Sequence, residues 1–454
     1  MAQISIIGAG SVMFSMAFIR DLCITKSLAG STVTLMDINK ERLDMIYNLA
    51  QRYKKEVKAD ITFNRTTNRK EALQGSDFVI STVMVIGYDA METEREIAER
   101  HGYYRGIGDR VFDYYGGVGA YSQLRFFLDL ARDMEDLCPD AWLIETANPV
   151  FEGVNLITRE TKVKTVGVCH GHFATEDMIK VLGLDVQNCR VQTAGFNHCI
   201  WLTHFLYKGE NAYSIIDEWI ENKAEEYWKS EKYLSVPPWE SEQMSPGAVD
   251  TYKMFGLFPI GDTVRSMSPW WHHTDLKTKQ RWYGPTGGFD SEIGWKIYLD
   301  RHDEKMRKMS ELAEDPSSSL IGEFPPIMSG EQHIPIIDAI ANDKETILQL
   351  NIPNKGAISG IPDDVVVEIP TLVSGRGIQG IHVGGLPKRL MLYGIVPRMR
   401  RMEQILHAFL NGDRKSLLLM LMEDPRTKSF EQAERLLKEL LAQPWNAEAE
   451  KHYR

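Results

Sequence analysis

The sequence predicts an α/β fold: a doubly wound parallel sheet in the first half, with an α+β lobe packed intimately against it. Three observations carry this. Short β-branched runs alternate with helical spacing over roughly the first 190 residues, the signature of parallel βαβ units. The first of those runs ends in a Gly-x-Gly turn. Beyond it the alternation loosens into isolated strand-like runs and amphipathic helices.

Taken in order, Ile4 to Ile7 is a short apolar run closed by Gly8, and Phe14 to Ile24 follows with helical spacing. Thr32 to Met36 is a second strand ending at Asp37, and a polar helix covers Lys40 to Lys55. Further strands are expected over Phe78 to Val83, Trp142 to Glu145 and Val163 to Val168, the last ending at Cys169. Ligand-binding residues of open α/β sheets lie just past the carboxyl ends of strands, so Gly8, Asp37, Asn148 and Cys169 fall on the expected rim. Val191 to Ala194, Leu202 to Tyr207 and helices between Ala212 and Trp228 continue as α+β. From Pro387 onward the chain reads as amphipathic helices over Leu390 to Ala408, Ser416 to Met422 and Phe430 to Leu441.

Composition narrows the partners. With 454 residues, 43% hydrophobic and 25% charged, and no low-complexity tract, the chain is an ordinary globular one with ample core. Its 52 basic against 63 acidic residues give a formal net charge of −11, which argues against nucleic acid or an anionic membrane surface as partner. The start shows no signal peptide and no apolar run reaches about 18 residues. Five cysteines in so long a chain do not make a disulfide framework and fit a reducing compartment, so a cytoplasmic protein is expected.

Gly8-Ala9-Gly10-Ser11-Val12-Met13 follows a strand and opens a helix. Glycines in such a turn allow a tight bend and close approach to a pyrophosphate, whose charge meets the helix N-terminus. Met13 stands where a third glycine would be. Asp37, about 27 residues past Gly10, has the spacing of a ribose 2′-hydroxyl acceptor and favours NAD over NADP. The expected division is a Rossmann-like NAD-binding domain over residues 1–190, like that of lactate and malate dehydrogenases. Residues 191–454 would form an α+β domain for substrate, metal and oligomerisation, joined without a linker.

A second constellation is Cys169-His170-Gly171-His172, with Asn197-His198 about 30 residues on. Cysteine and histidine supply soft and borderline ligands to a divalent transition metal, and an incomplete ligand set leaves positions open for substrate oxygens. By spacing alone, a buried strand-end thiol with hydrogen-bonded histidines is the alternative, and His204, His272 and His273 add no specificity.

In order along the chain stand Ile7-Gly8-Ala9-Gly10-Ser11, Asp37, Asn148-Pro149, the Cys169 tetrad and Gly195-Phe196-Asn197-His198-x-x-Trp201. They are followed by Asn351-x-x-Asn354-Lys355-Gly356, Val367-Glu368-Ile369-Pro370 and Val383-Gly384-Gly385-Leu386-Pro387. This ordered set resembles glycoside hydrolase family 4, the NAD- and manganese-dependent glycosidases, over almost the whole chain. The resemblance implies a retaining glycosidase that oxidises the sugar at C3, removes the C2 proton, eliminates the C1–O bond, adds water and returns the hydride. The Cys-His-Gly-His tetrad looks most like the α-galacturonidases, with α-glucuronidase as neighbour; 6-phospho-sugar members typically have Cys-Asp or Cys-Asn there.

The same resemblance distributes roles. Cys169 and His198 would hold Mn²⁺. Tyr252, before Leu257-Phe258-Pro259, matches the family's base, with Asp262 as second candidate. His170 occupies the position of the family's usual acid, with His172 as competitor. Asn148 and Asn197 would contact the sugar near the metal. A uronate also needs a bidentate cation, for which Arg110 and Arg265 are the choices, while Asp109 would hold a hydroxyl. Trp201, Trp270 and Trp271 could wall the sugar ring. A simple NAD-dependent hydroxyacid dehydrogenase is the rival from another class; it explains Gly8, Gly10 and Asp37 but leaves Cys169 and His198 without a role. The C-terminal helices offer apolar surface for a homodimer or homotetramer.

Overall fold

The computed structural model describes all residues except 107, 109–117 and 119. Six strands form the parallel half: β1 (Gln3–Ile7), β2 (Thr32–Met36), β3 (Thr62–Thr66), β4 (Phe78–Ser81), β5 (Trp142–Glu145) and β6 (Lys164–Val168). Their order is 3-2-1-4-5-6, with every neighbouring pair parallel, the doubly wound arrangement expected from the alternation. β1 and β4 are buried on both faces, which is why they read as continuous apolar runs. β3 is the strand the sequence reading lacks. At the sheet edge it buries only Phe63 among Thr-Phe-Asn-Arg-Thr, leaving almost no apolar signal.

The second half does not start a new sheet. β11 (Thr346–Pro353) pairs antiparallel with β6, and the sheet runs on through β12 (Val366–Ser374), β7 (Cys189–Phe196), β8 (Cys199–Tyr207) and β10 (Pro259–Ile260). Two short strands, β9 (Glu210–Asn211) and β13 (Gly377–Gly380), pair with β8 and β12. The α+β lobe is thus joined to the parallel half through β11, where Leu350 faces Val168 and Asn351 faces Gly167 in the register. A second, smaller apolar cluster, including Trp219, Phe258 and Tyr283, packs beyond β8.

Helix α1 (Ser15–Ile24) follows the first strand, and α2 (Lys40–Val57) is capped by Asn39, whose side chain accepts from the Arg42 amide. The C-terminal helix over Leu390 to Ala408 is interrupted: a π turn spans Met391–Ile395 before the helix Val396–Asn411. Pro397 supplies no amide hydrogen to the turn before it, which accounts for the widened turn. The helix Phe430–Leu441 forms where its periodicity places it. Among the described residues no helix is long and apolar enough to cross a membrane.

Candidate active site

At the end of β1 the chain turns at Gly8, with φ 89°, a conformation that favours glycine. The amides of Gly8 and Ala9 both donate to the Met36 carbonyl at 2.9 Å, which binds the turn to the end of β2. The Gly10 amide donates to Asp37 Oδ2 at 2.8 Å, and a Cβ on Gly10 would stand 2.7 Å from that oxygen. Glycine is therefore needed here for contact with the acid as well as for ligand approach. Asp37 Oδ1 accepts from the Asn39 amide at 2.8 Å, so the carboxylate is held by backbone at the cleft edge with lone pairs to spare.

From Asp37 a single cleft of about 1510 Å³ runs past Gly8, Gly10, Ser11, Val12 and Met13 to Asn148, Cys169, His170 and Asp262. Its far end is a cluster of three ligand-type groups: one atom each of Cys169, His198 and Asp262 lie within 4.8 Å of one another. Cys169 follows β6. His198 sits in the two-residue turn between β7 and β8 with φ 57°. The approach to that turn is tight, since a Cβ on Gly195 would fall 2.0 Å from the Cys199 carbonyl oxygen. Thr263 clasps the hairpin, accepting from the Ile200 amide at 2.7 Å and donating to the Ile200 carbonyl at 2.9 Å; Ser266 donates to the His198 carbonyl. Gln243 holds the strand before Asp262 by accepting from the Gly261 amide at 2.7 Å and donating to the Pro259 carbonyl at 2.9 Å.

The electrostatics suit a cation. Burial, with the Glu368 and Asp262 carboxylates beside it, pushes the Cys169 thiol well above its ordinary value, so a thiolate there needs a compensating positive charge. Burial also acts to raise Asp262, but Arg265 and His198 outweigh it and hold this carboxyl well below the usual range. His198 Nε2 is 2.9 Å from Asp262 Oδ2, and its Nδ1 is buried with no hydrogen-bond partner among the described residues. A sulfur, a nitrogen and an oxygen donor at one point fit a divalent transition metal. Asp262, expected as a base candidate, thus stands with the ligands.

The remaining residues divide. His170 lines the cleft with its side chain largely exposed, Nδ1 3.2 Å from Glu331 Oε1, and this hydrogen bond raises its pKa. His172 lies outside the cleft lining, against Phe173; burial and the nearby His170 lower it to about 4. Asn197 turns away beneath the hairpin and donates to Glu368 Oε2 at 3.1 Å. Glu368 is fully buried, and burial pushes its carboxyl up to about 8.

The structure does not bring Tyr252 into the cleft. Its hydroxyl donates to Asp217 Oδ1 at 2.8 Å, its ring packs on Tyr213 and Phe258, and burial with the Asp217 charge raises its pKa, the wrong direction for a base. A local Leu-Phe-Pro match does not say which way a helical side chain faces. Arg265 lines the cleft but is already surrounded by Asp262, Asp290 at 3.6 Å and Glu242 at 3.9 Å. Asp109 and Arg110 lie outside the described residues. Trp201 is buried against Phe255, and Trp270 and Trp271 do not line the cleft. Sequence reasoning missed Glu331, Glu242 and Arg95, all in the cleft wall; Glu242 and Arg95 stand beside no glycine turn or strand end, and the one signal for Glu331 is Gly330 before it, with φ 90°.

A doubly wound sheet whose switch-point cleft joins a glycine turn and acid to a Cys-His-Asp cluster defines an enzyme with a dinucleotide site and a metal site side by side. Residues 3–184 match the family 4 glycosyl hydrolases and residues 193–427 match the C-terminal domain of the same family. The chain belongs to glycosyl hydrolase family 4. It is 28% identical over 401 residues to the α-galactosidase of Bacillus subtilis, covering 86% of this chain and 85% of that one. It is 26% identical over 464 residues to the α-galacturonidase of Thermoanaerobacterium saccharolyticum, covering 96% and 94%. Among solved structures, lplD from Bacillus subtilis aligns with a TM-score of 0.81 at 25% identity, over 97% of this chain and all of that one. A 6-phospho-α-glucosidase from gut microorganisms, in complex with NAD and Mn²⁺, aligns with a TM-score of 0.77 at 18% identity, over 97% of each chain.

Proposed function

We propose that the protein is an α-galacturonidase that releases α-linked galacturonic acid from short oligogalacturonides, with NAD and Mn²⁺ as cofactors. The observation that carries the reading is the residue after the metal-site cysteine: His170 lines the cleft beside Cys169, where the 6-phospho-sugar type of site has an acid or an amide. It is supported by relatives named α-galacturonidase that match this chain nearly end to end, at 96% of its length for the Thermoanaerobacterium enzyme. An anionic substrate also has a receptor. Arg95 lines the cleft and gives Nη2 to the Asp290 carbonyl, while Nε and Nη1 have no acceptor among the described residues. Arg95 meets no carboxylate of the described residues, so its charge suits an anionic substrate better than that of Arg265, which is already met.

Gly8, Gly10, Ser11, Val12, Met13 and Asp37 would hold the dinucleotide, and Cys169, His198 and Asp262 the metal. When bound, the two supply reversible hydride transfer at C3 and Lewis-acid stabilisation of the sugar oxygens. His170, in the cleft wall with Nδ1 at 3.2 Å from Glu331 Oε1, would give a proton to the leaving oxygen. Asn148, in the cleft wall, would contact a sugar hydroxyl.

The test is hydrolysis of matched aryl α-galacturonide, α-glucuronide, α-galactoside and 6-phospho-α-glucoside with NAD⁺ and Mn²⁺. Highest kcat/KM on the galacturonide is expected. Preference for the neutral galactoside or the phosphorylated sugar overturns the uronate assignment, and preference for the glucuronide moves it to the neighbouring specificity.

A further inference from the structure

The helix Glu292–Glu314 belongs to the second half of the chain, yet it crosses back over the cleft. Tyr298 meets Tyr88 hydroxyl to hydroxyl at 3.0 Å, and twelve residues further on Ser310 reaches Met45 of α2. Between those two contacts Arg301, His302 and Lys305 all line the cleft. Lys305 stands directly over the glycine turn, with Nζ 3.7 Å from Met13 Sδ. Arg301 is one helical turn away, its guanidinium 4.7 Å from the centre of the Trp239 ring.

Lys305 is half-buried and pairs with no carboxylate of the described residues; burial and the Arg301 charge both act to lower its pKa. Two cations four residues apart repel by a few tenths of a kcal/mol, and a half-buried ammonium with only a thioether beside it is poorly solvated. Both costs are relieved by an anion between helix and turn. The position fits one: Lys305 stands at Met13 of the glycine turn, in the same cleft as Asp37, placed for the adenosine ribose, and the metal cluster, placed for the sugar.

We propose that Lys305 is a cofactor-binding residue: an ammonium from the second half of the chain that meets the dinucleotide pyrophosphate from the side opposite the Gly10–Met13 turn. The Gly10 and Ser11 amides are taken by Asp37 and the Gly8 carbonyl, so the turn is left with the Val12 and Met13 amides to offer, and Lys305 gives a full charge; the phosphates are held between two elements distant in sequence. This adds a contact at the one position where the glycine motif departs from its full form, Met13.

The experiment measures binding of NAD⁺, ADP-ribose and adenosine to the metal-free full chain by calorimetry, for wild type, Lys305→Gln and Lys305→Arg, at two salt concentrations. Loss of one charge-assisted contact predicts a Kd about tenfold or more higher for both NAD⁺ and ADP-ribose in Lys305→Gln. Adenosine affinity should be unchanged, Lys305→Arg should recover most of the loss, and the salt dependence should flatten in Lys305→Gln. Unchanged NAD⁺ affinity overturns the proposal. So does an equal loss for adenosine, which would signal general distortion of the cleft. A raised KM for the uronide with unchanged NAD⁺ affinity also overturns it, placing Lys305 on the substrate carboxylate instead. Wild-type protein that binds none of the three ligands overturns the dinucleotide reading itself.

Discussion

Cys169, His198 and Asp262 hold three different donor atoms at one point, so their variants separate metal from dinucleotide. Cys169→Ser and His198→Ala should each lower turnover more than about 100-fold while NAD⁺ affinity, read by calorimetry, stays near wild type. Unchanged turnover in either would remove the cluster from the chemistry. Asp262→Asn tests its move from base candidate to ligand: Mn²⁺ affinity should weaken about 10- to 100-fold, and excess Mn²⁺ should restore part of the rate. A base would not be rescued by metal. The buried acids make a prediction with a definite sign. Glu368 and Glu145 are both pushed up to about 8 by burial, so the folded metal-free protein carries protons there that the unfolded chain loses near pH 4.5. Their contribution is fully present below that pH and is lost as pH rises to about 8, by up to about 1.4 kcal/mol per pH unit for each group. Melting curves of the metal-free protein should show the decline, and Glu368→Gln should shallow it. Residue identity was legible where chemistry is local, as with Asp37 by its distance from Gly10; the spacing of Cys169 and His198 left a buried thiol with hydrogen-bonded histidines open, and it was the ordered set of motifs that marked them as donors. Tyr252 was not, because its role depended on which face of the helix Pro246–Phe255 it occupies, and packing on Tyr213 settled that.

Among the elements, the β7–β8 hairpin places one of the three donors and has the least slack. Gly195 cannot carry a side chain without striking the Cys199 carbonyl. Gly195→Ala should therefore cost at least about 3 kcal/mol in denaturant unfolding and abolish Mn²⁺ binding together with it, whereas Asn197→Asp, which places a second acid against Glu368, should mainly cost stability. The segment carrying Glu331 is tied down differently: Ser329 reaches the buried Asp21 of α1 through both its amide, at 2.8 Å, and its hydroxyl. That fastening holds Glu331 against His170. If Glu331 fixes an acid, Glu331→Gln should slow alkyl galacturonides by about tenfold and leave nitrophenyl galacturonide nearly unaffected, since a good leaving group needs little protonation. An equal loss on both would mark a structural role only. Elements were readable in sequence where burial is two-sided, as in β1 and β4. They were hidden where the strand is polar at an edge, as in β3, or where motifs such as Val367-Glu368-Ile369-Pro370 gave no hint that β12 would pair with β7 and β11.

Taken whole, the molecule has one sheet where the sequence suggests two regions. β6 carries Cys169 at its end and is bonded on one side to β5 and on the other to β11, so the metal end of the cleft belongs to both halves. A fragment ending near residue 190 would expose the almost wholly buried β6 as an unpaired edge. It should aggregate rather than persist as a monomeric NAD-binding domain, as size-exclusion chromatography would show. Steady-state assays with saturating NAD⁺ and a panel of hydroxyacids should show no sustained NADH production, which separates the glycosidase from a dehydrogenase of the same strand order. The overall acidity is no obstacle to an anionic substrate and cofactor, because Arg95, Arg301 and Lys305 line the cleft within an acidic exterior. The β6–β11 junction also bears on motion. The pairing of β11 with β6 beneath the cluster ties the two halves into one sheet, so admission and release of ligands should fall to side chains and loops at the rim. Small-angle scattering of empty and cofactor-loaded protein should give superimposable curves, where a hinged two-lobe enzyme would contract.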